Sequence, residues 1–153
     1  MESYSVHFRF SQHFDFPASE AFAWCTDYDP GDIGLMGSEG RRKVQRLNED
    51  TFILTDSYAP KDQRGTRRKL VRVYPERLSW TNTRISPEGR HSQFLYQIVP
   101  EEGGSRLEFV GSQVFKGKKP GAAKLAEVAR DLVAEDSASW RNLAKAMAKG
   151  LAK

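Results

Sequence analysis

From Ala122 to Lys149 the apolar residues recur at helical spacing. Leu125, Ala129, Leu132, Trp140, Leu143 and Met147 share one side, while Lys124, Glu127, Arg130, Asp131, Arg141, Lys145 and Lys149 take the other. This spacing predicts one long amphipathic helix. Asp136 falls inside the apolar stripe, midway between Leu132 and Trp140. A carboxylate is rarely buried without a partner, so its position predicts that the helix covers something other than dry core. Asp136-Ser137 is also good N-cap chemistry, and a break of the helix at that point is the competing expectation.

Upstream the period changes to two. Residues 4 to 14 read as a first strand, stopped by Pro17, and Ser19 and Glu20 open a short helix holding Phe22, Ala23 and Trp24. DYDPGDIG ends that helix, and a second short turn covers Ile33 to Met36. Strand-like runs follow at 40–47, 51–59, 65–74, 77–85, 90–99 and 105–115, separated by Asn48-Glu49-Asp50, Pro60, Pro75-Glu76, Ser86-Pro87-Glu88-Gly89 and Pro100 to Gly104. Tight turns between consecutive strands predict an antiparallel meander. A meander with one apolar face needs a cover, and the last helix, roughly 40 Å long at about 1.5 Å per residue, is long enough to supply it. The predicted class is α+β: a seven-stranded curved antiparallel sheet around a long C-terminal helix, with two short helices after the first strand.

The phrase FDFPASEAFAWCTDYDP, with Phe16, Pro17, Glu20, Phe22, Trp24 and Asp27, and the turn VYPERLSWT, with Pro75, Arg77, Leu78 and Trp80, resemble the START-like, Bet v 1-like (SRPBCC) superfamily. The polyketide cyclase/dehydrase and lipid transport branch is the nearest in look, and the second phrase is shared with activator-of-Hsp90-like relatives. The resemblance covers nearly the whole chain as an order of elements, so residues 1–153 are expected to form a single START-like domain. It implies a helix-grip fold with a cavity between sheet and helix that binds apolar small molecules. It carries no universal catalytic residue.

Period-two alternation assigns the faces that look toward the helix. They hold Phe52, Leu54, Asp56 and Tyr58 in one strand, and Leu78, Trp80, Asn82 and Arg84 in another. Phe94, Tyr96 and Ile98 follow in the next, and Leu107, Phe109, Gly111, Gln113 and Phe115 in the last. Residues 65–74 are ambiguous, because Val71 and Val73 compete with Leu70 and Tyr74. Several inward faces turn polar toward one end. The candidate ligand-binding set is therefore Asp56, Tyr58, Trp80, Asn82, Arg84, Phe94, Tyr96, Phe109, Gln113, Leu132, Asp136 and Trp140. Each has a plainer alternative. Asp56 and Arg84 stand near strand ends and could reach solvent, Asn82 and Gln113 could satisfy one another, and the aromatics are core residues first.

Charge and composition narrow the classes. The formal net charge is +4, but the basic residues are spread along the chain rather than gathered in one arm, which argues against nucleic acid as partner. Arg64, Arg67, Arg68, Lys69 and Arg72 form the densest basic stretch, and alternation splits them between two faces, so a solvated outer face is expected. The lone Cys25 excludes an internal disulfide, and His7, His13 and His91 lack metal-ligand spacing. No metal or cofactor is expected. The opening MESYSVHFRF has charges where a signal peptide needs an apolar core, and no run reaches membrane-spanning length, so a cytoplasmic location without stable membrane insertion is expected. Three functions remain: binding or transport of a small hydrophobic molecule, a cyclase/dehydratase-type enzyme using a cavity carboxylate such as Asp136 or Asp56, or a protein-interaction module. The sequence is silent on oligomeric state.

Overall fold

The structure is a computed structural model. It describes residues 2–29, 31–61, 65–85 and 91–151, so the predicted turn at Ser86 to Gly89, Arg64 of the basic stretch and Pro30 lie outside the described residues. Among the described residues, seven strands form one antiparallel sheet: β1 (Ser3–Phe14), β2 (Gly40–Asn48), β3 (Thr51–Tyr58), β4 (Thr66–Tyr74), β5 (Ser79–Arg84), β6 (Ser92–Glu101) and β7 (Gly104–Lys116). Their spatial order is β1-β7-β6-β5-β4-β3-β2, so the chain meanders from β2 to β7 and β1 closes the far edge beside β7. Helices α1 (Ala18–Cys25) and α2 (Asp32–Leu35) link β1 to β2, and α3 (Ala122–Leu151) follows β7. No helix among the described residues is long and apolar enough to cross a membrane.

Two local features set the frame. Pro75 begins a short 3-10 turn, Pro75–Arg77, and Leu78 then adopts a left-handed backbone with φ of 48°. The strand expected from residue 77 therefore starts two residues later, at Ser79. Helix α3 runs unbroken through Asp136 and Ser137, which rules out the expected alternative of a break there. Asp136 is thus an interior helical residue rather than a cap.

The sheet's inner face is built in rows across the strands. Trp80, Tyr96, Phe109 and Phe10 are register partners from β5 through β6 and β7 to β1. Their rings touch in sequence, with centroids 4.8 Å apart for Trp80–Tyr96, 5.1 Å for Tyr96–Phe109 and 4.5 Å for Phe10–Phe109. The next row is Asn82, Phe94, Gly111 and Phe8. Gly111 is a packing requirement: a Cβ there would lie 2.8 Å from a Phe8 ring carbon and 2.9 Å from one of Phe109. At one end of the hollow, Phe14, Ala21, Phe22, Ile98, Leu107 and Met147 form part of a continuous buried core. At the middle of α3, Leu132 and Trp140 are only partly buried. The helix is thus buried most deeply at its C-terminal end, while Leu132 and Trp140 pack against the core with part of their surface left open.

Register settles the face of β4. Val71 pairs between Phe52 and Asn82 and is fully buried, while Tyr74 stays exposed. Period two then carries Lys69 and Arg67 to the inner face. This corrects the expectation of a solvated basic face: Arg68 and Arg72 are exposed, but Lys69 and Arg67 look inward.

Candidate functional site

The hollow between the sheet and α3 has a volume of about 150 Å³. Its aromatic part is Phe94, Tyr96, Phe109 and Trp140, with Leu132 beside them. Trp140 reaches from the helix to within 5.6 Å of the Tyr96 ring centroid. The polar part is made by Asn82 and Arg84 of β5, Gln113 of β7, and Asp136 of α3. Tyr58 completes the lining contributed by the expected residues, with the Arg67 guanidinium 5.9 Å from its ring centroid. Ten of the twelve candidates thus border the hollow, and Asp56 and Trp80 do not.

Trp80 is buried behind the wall, stacked on Tyr96 at an interplanar angle of 5° and edge-on to Phe22. It backs the lining ring rather than presenting a surface. Asp56 is 0% exposed and fully engaged. Arg42 donates to it from Nε at 2.7 Å and Nη2 at 3.0 Å, and Lys69 donates from Nζ at 2.9 Å. Burial alone would raise the Asp56 carboxyl, but the hydrogen bonds and charges of Arg42 and Lys69 outweigh it and hold it below its ordinary value. Arg42 also reaches Asp32 of α2 at 3.5 Å, which ties the short helix to the sheet. This cluster holds the β2 edge, β3 and β4 together, and Asp56, buried beneath it, does not border the hollow.

Six further residues line the hollow that alternation did not single out: Met36, Arg67, Lys69, Ser92, Glu135 and Ser139. Ser92 lies one period before Phe94, so its place was readable. Arg67 and Lys69 follow once Val71 is placed inward. Met36 comes from the loop after α2, where no periodicity applies. Its carbonyl accepts a hydrogen bond from Asn142 Nδ2 of α3 at 3.1 Å. Gly37, next in the chain with φ of +89°, lies so close that a Cβ would be 2.8 Å from that same Asn142 nitrogen.

Two groups in the hollow stand out electrostatically. The Asp136 carboxyl is pushed up to about 6 by burial and then by Glu135, with Lys69 and Arg67 pulling the other way. Among the described residues, none hydrogen-bonds its carboxylate. The buried Nε of Arg67 likewise has no hydrogen-bond partner. Burial, and then the Asp136 charge, raise the Tyr96 hydroxyl well above its ordinary value, so Tyr96 is a neutral donor and acceptor.

No protein-family model matches this chain, and no curated protein matches it. Solved structures do. The sheet, the two short helices and the long closing helix match the Bet v 1 helix-grip fold. Ara h 8.0201 superposes with a TM-score of 0.71 at 12% identity, covering 95% of this chain and 99% of that one. The di-domain ARO/CYC protein StfQ from the steffimycin biosynthetic pathway superposes with a TM-score of 0.75 at 14% identity, over 97% of this chain and 52% of its own. Norcoclaurine synthase from Thalictrum flavum, in complex with dopamine and hydroxybenzaldehyde, gives 0.67 at 12% identity, over 97% and 88%. At such identities the likeness establishes the fold.

Proposed function

We propose that this chain binds a small molecule with an apolar, aromatic body in the hollow between the sheet and α3, as a binding or transport module. The observation that carries this is the hollow itself. It has a floor of Phe94, Tyr96 and Phe109, a helix wall of Leu132 and Trp140, and a few convergent polar groups, which is the usual form of a small-molecule site. A hollow of about 150 Å³ suits a single aromatic ring. The helix-grip neighbours that hold small molecules support the same choice. Residues 1–153 act as one unit of this kind, and α2 with the Met36–Gly37 loop is the gate, latched to α3 through Asn142.

A cyclase- or dehydratase-type enzyme is the second reading. It is favoured by Asp136, a hollow-facing carboxyl raised to about 6 and so suited to taking a proton near neutral pH. Such chemistry also needs a donor beside the acceptor. Among the described residues, neither Tyr96 nor an arginine hydrogen-bonds Asp136, which keeps binding ahead of catalysis.

The test is titration with cinnamyl alcohol, a neutral single-ring probe, followed through the three tryptophan indole N–H signals by NMR. The Trp140 signal shifts saturably and the Trp24 signal stays in place. A Trp140 signal that drifts without saturating, or that does not move, refutes the proposal.

A further inference from the structure

We propose that the ligand is an acid: its carboxylate sits on Arg67 at the polar end of the hollow while its ring lies against Phe94, Tyr96 and Phe109. This deepens the binding function proposed above and rests on it.

Register gathers cations on the sheet wall. Arg67 and Lys69 are two apart on the inner face of β4, and Lys69 is the direct cross-strand partner of Arg84 on β5. Like charges directly opposite one another in a sheet are destabilising. Lys69 is offset by its bond to Asp56 at 2.9 Å. Arg67 pairs in register with Asp56, but that carboxylate is already taken by Arg42 and Lys69. Among the described residues, Arg67 contacts no carboxylate, and its Nε is buried without a hydrogen-bond partner. Arg67 as a whole is half-buried, but a donor buried without an acceptor, as its Nε is, is costly unless something accepts from it. The planar guanidinium fork matches a carboxylate, and such charge-assisted bonds are stronger than neutral ones.

Asp136 does not fill that role. It faces the hollow from α3, on the other wall, and accepts no hydrogen bond from Arg67. The space between the two walls is where a ligand carboxylate fits. Asp136 then faces the ligand as an acceptor for a hydroxyl, or takes up a proton as the second anion arrives.

The experiment compares cinnamate with cinnamyl alcohol, which share one ring and one chain length and differ in charge, by calorimetry at pH 7.5. Cinnamate is expected to bind at least tenfold more tightly. Arg67→Met removes that preference, and Arg67→Lys restores part of it. Equal affinity for acid and alcohol, or a preference that survives in Arg67→Met, overturns the assignment of an acid and leaves the binding function standing. Failure of both probes to bind a protein with an intact NMR spectrum overturns both.

Discussion

Asp136→Asn is expected to make the protein more stable at neutral pH and to have little effect in acid. The Asp136 carboxyl is raised from 3.8 to about 6, mainly because burial disfavours its charged form, with Glu135 beside it adding to the shift and Lys69 and Arg67 of β4 opposing it. A carboxyl that holds its proton more tightly in the folded state favours folding when protonated and opposes it when ionised. The cost is therefore absent below the unfolded value near 4, grows between about pH 4 and 6, and is fully present above 6. About two pKa units correspond to about 3 kcal/mol at pH 7.5, falling to roughly half of that at pH 5 and to a few tenths near pH 3.5. Partial exposure at the mouth of the hollow screens the charge, so about 1.5–3 kcal/mol is the expected gain at pH 7.5.

The asparagine is nearly isosteric and neutral at every pH, so it removes the charge and little else. Urea denaturation at pH 7.5, 5 and 3.5 measures the difference. For a chain of this length about 1.5–3 kcal/mol corresponds to a rise in Tm of roughly 3–12 °C. A gain that shrinks as the pH is lowered confirms a desolvated carboxylate in the hollow. A variant equally stable as the parent at pH 7.5, or one destabilised at every pH, shows that Asp136 is solvated or held by a partner, and the electrostatic account of the hollow fails.

Asp56→Ala is expected to destabilise the fold by about 3–5 kcal/mol at neutral pH, because it strands Arg42 and Lys69 against the sheet. Since the Asp56 carboxyl lies below its ordinary value, its contribution is present above pH 4 and is lost as the pH falls through the folded value, so the parent and Asp56→Ala converge in strong acid when unfolding is followed by circular dichroism. Gly111→Ala forces a methyl to within 2.8–2.9 Å of Phe8 and Phe109 ring carbons and is expected to cost about 1–3 kcal/mol in urea denaturation; a neutral outcome would show that those rings can move aside.

The fold was legible because burial imposes a period. The α3 stripe and the alternation of Phe94, Tyr96 and Ile98 or of Leu107 and Phe109 each allow one face only. The lining of the hollow was legible where those same faces turned polar, as at Asn82, Gln113 and Asp136. It was hidden where two apolar pairs offered opposite registers. In β4 Leu70 and Tyr74 rival Val71 and Val73, and only pairing with Phe52 and Asn82 decides between them. That decision moves Arg67 and Lys69 from the surface into the hollow. Asp56 was placed on the correct face, yet its chemistry depends on Arg42, a neighbour on β2, whose exposed and weakly patterned sequence announces nothing. Met36 belongs to a loop seated by Asn142, a contact between residues far apart in the chain.

The polar end of the hollow is best understood by asking why its charges are left as they are. Asp56 shows that this chain can bury a carboxylate with full compensation, using three donor bonds. A few residues away, Asp136 and Arg67 face the same space, carry opposite charge, and do not pair. Stability alone would favour closing that pair or replacing both with apolar side chains of similar volume. The hollow instead keeps one acceptor and one donor separated over a rigid aromatic floor, in which Trp80 stacks behind Tyr96 and fixes its plane. Separated, preorganised charges of this kind weaken the empty fold and strengthen whatever fits between them. A guest with a ring and an acidic end meets both conditions.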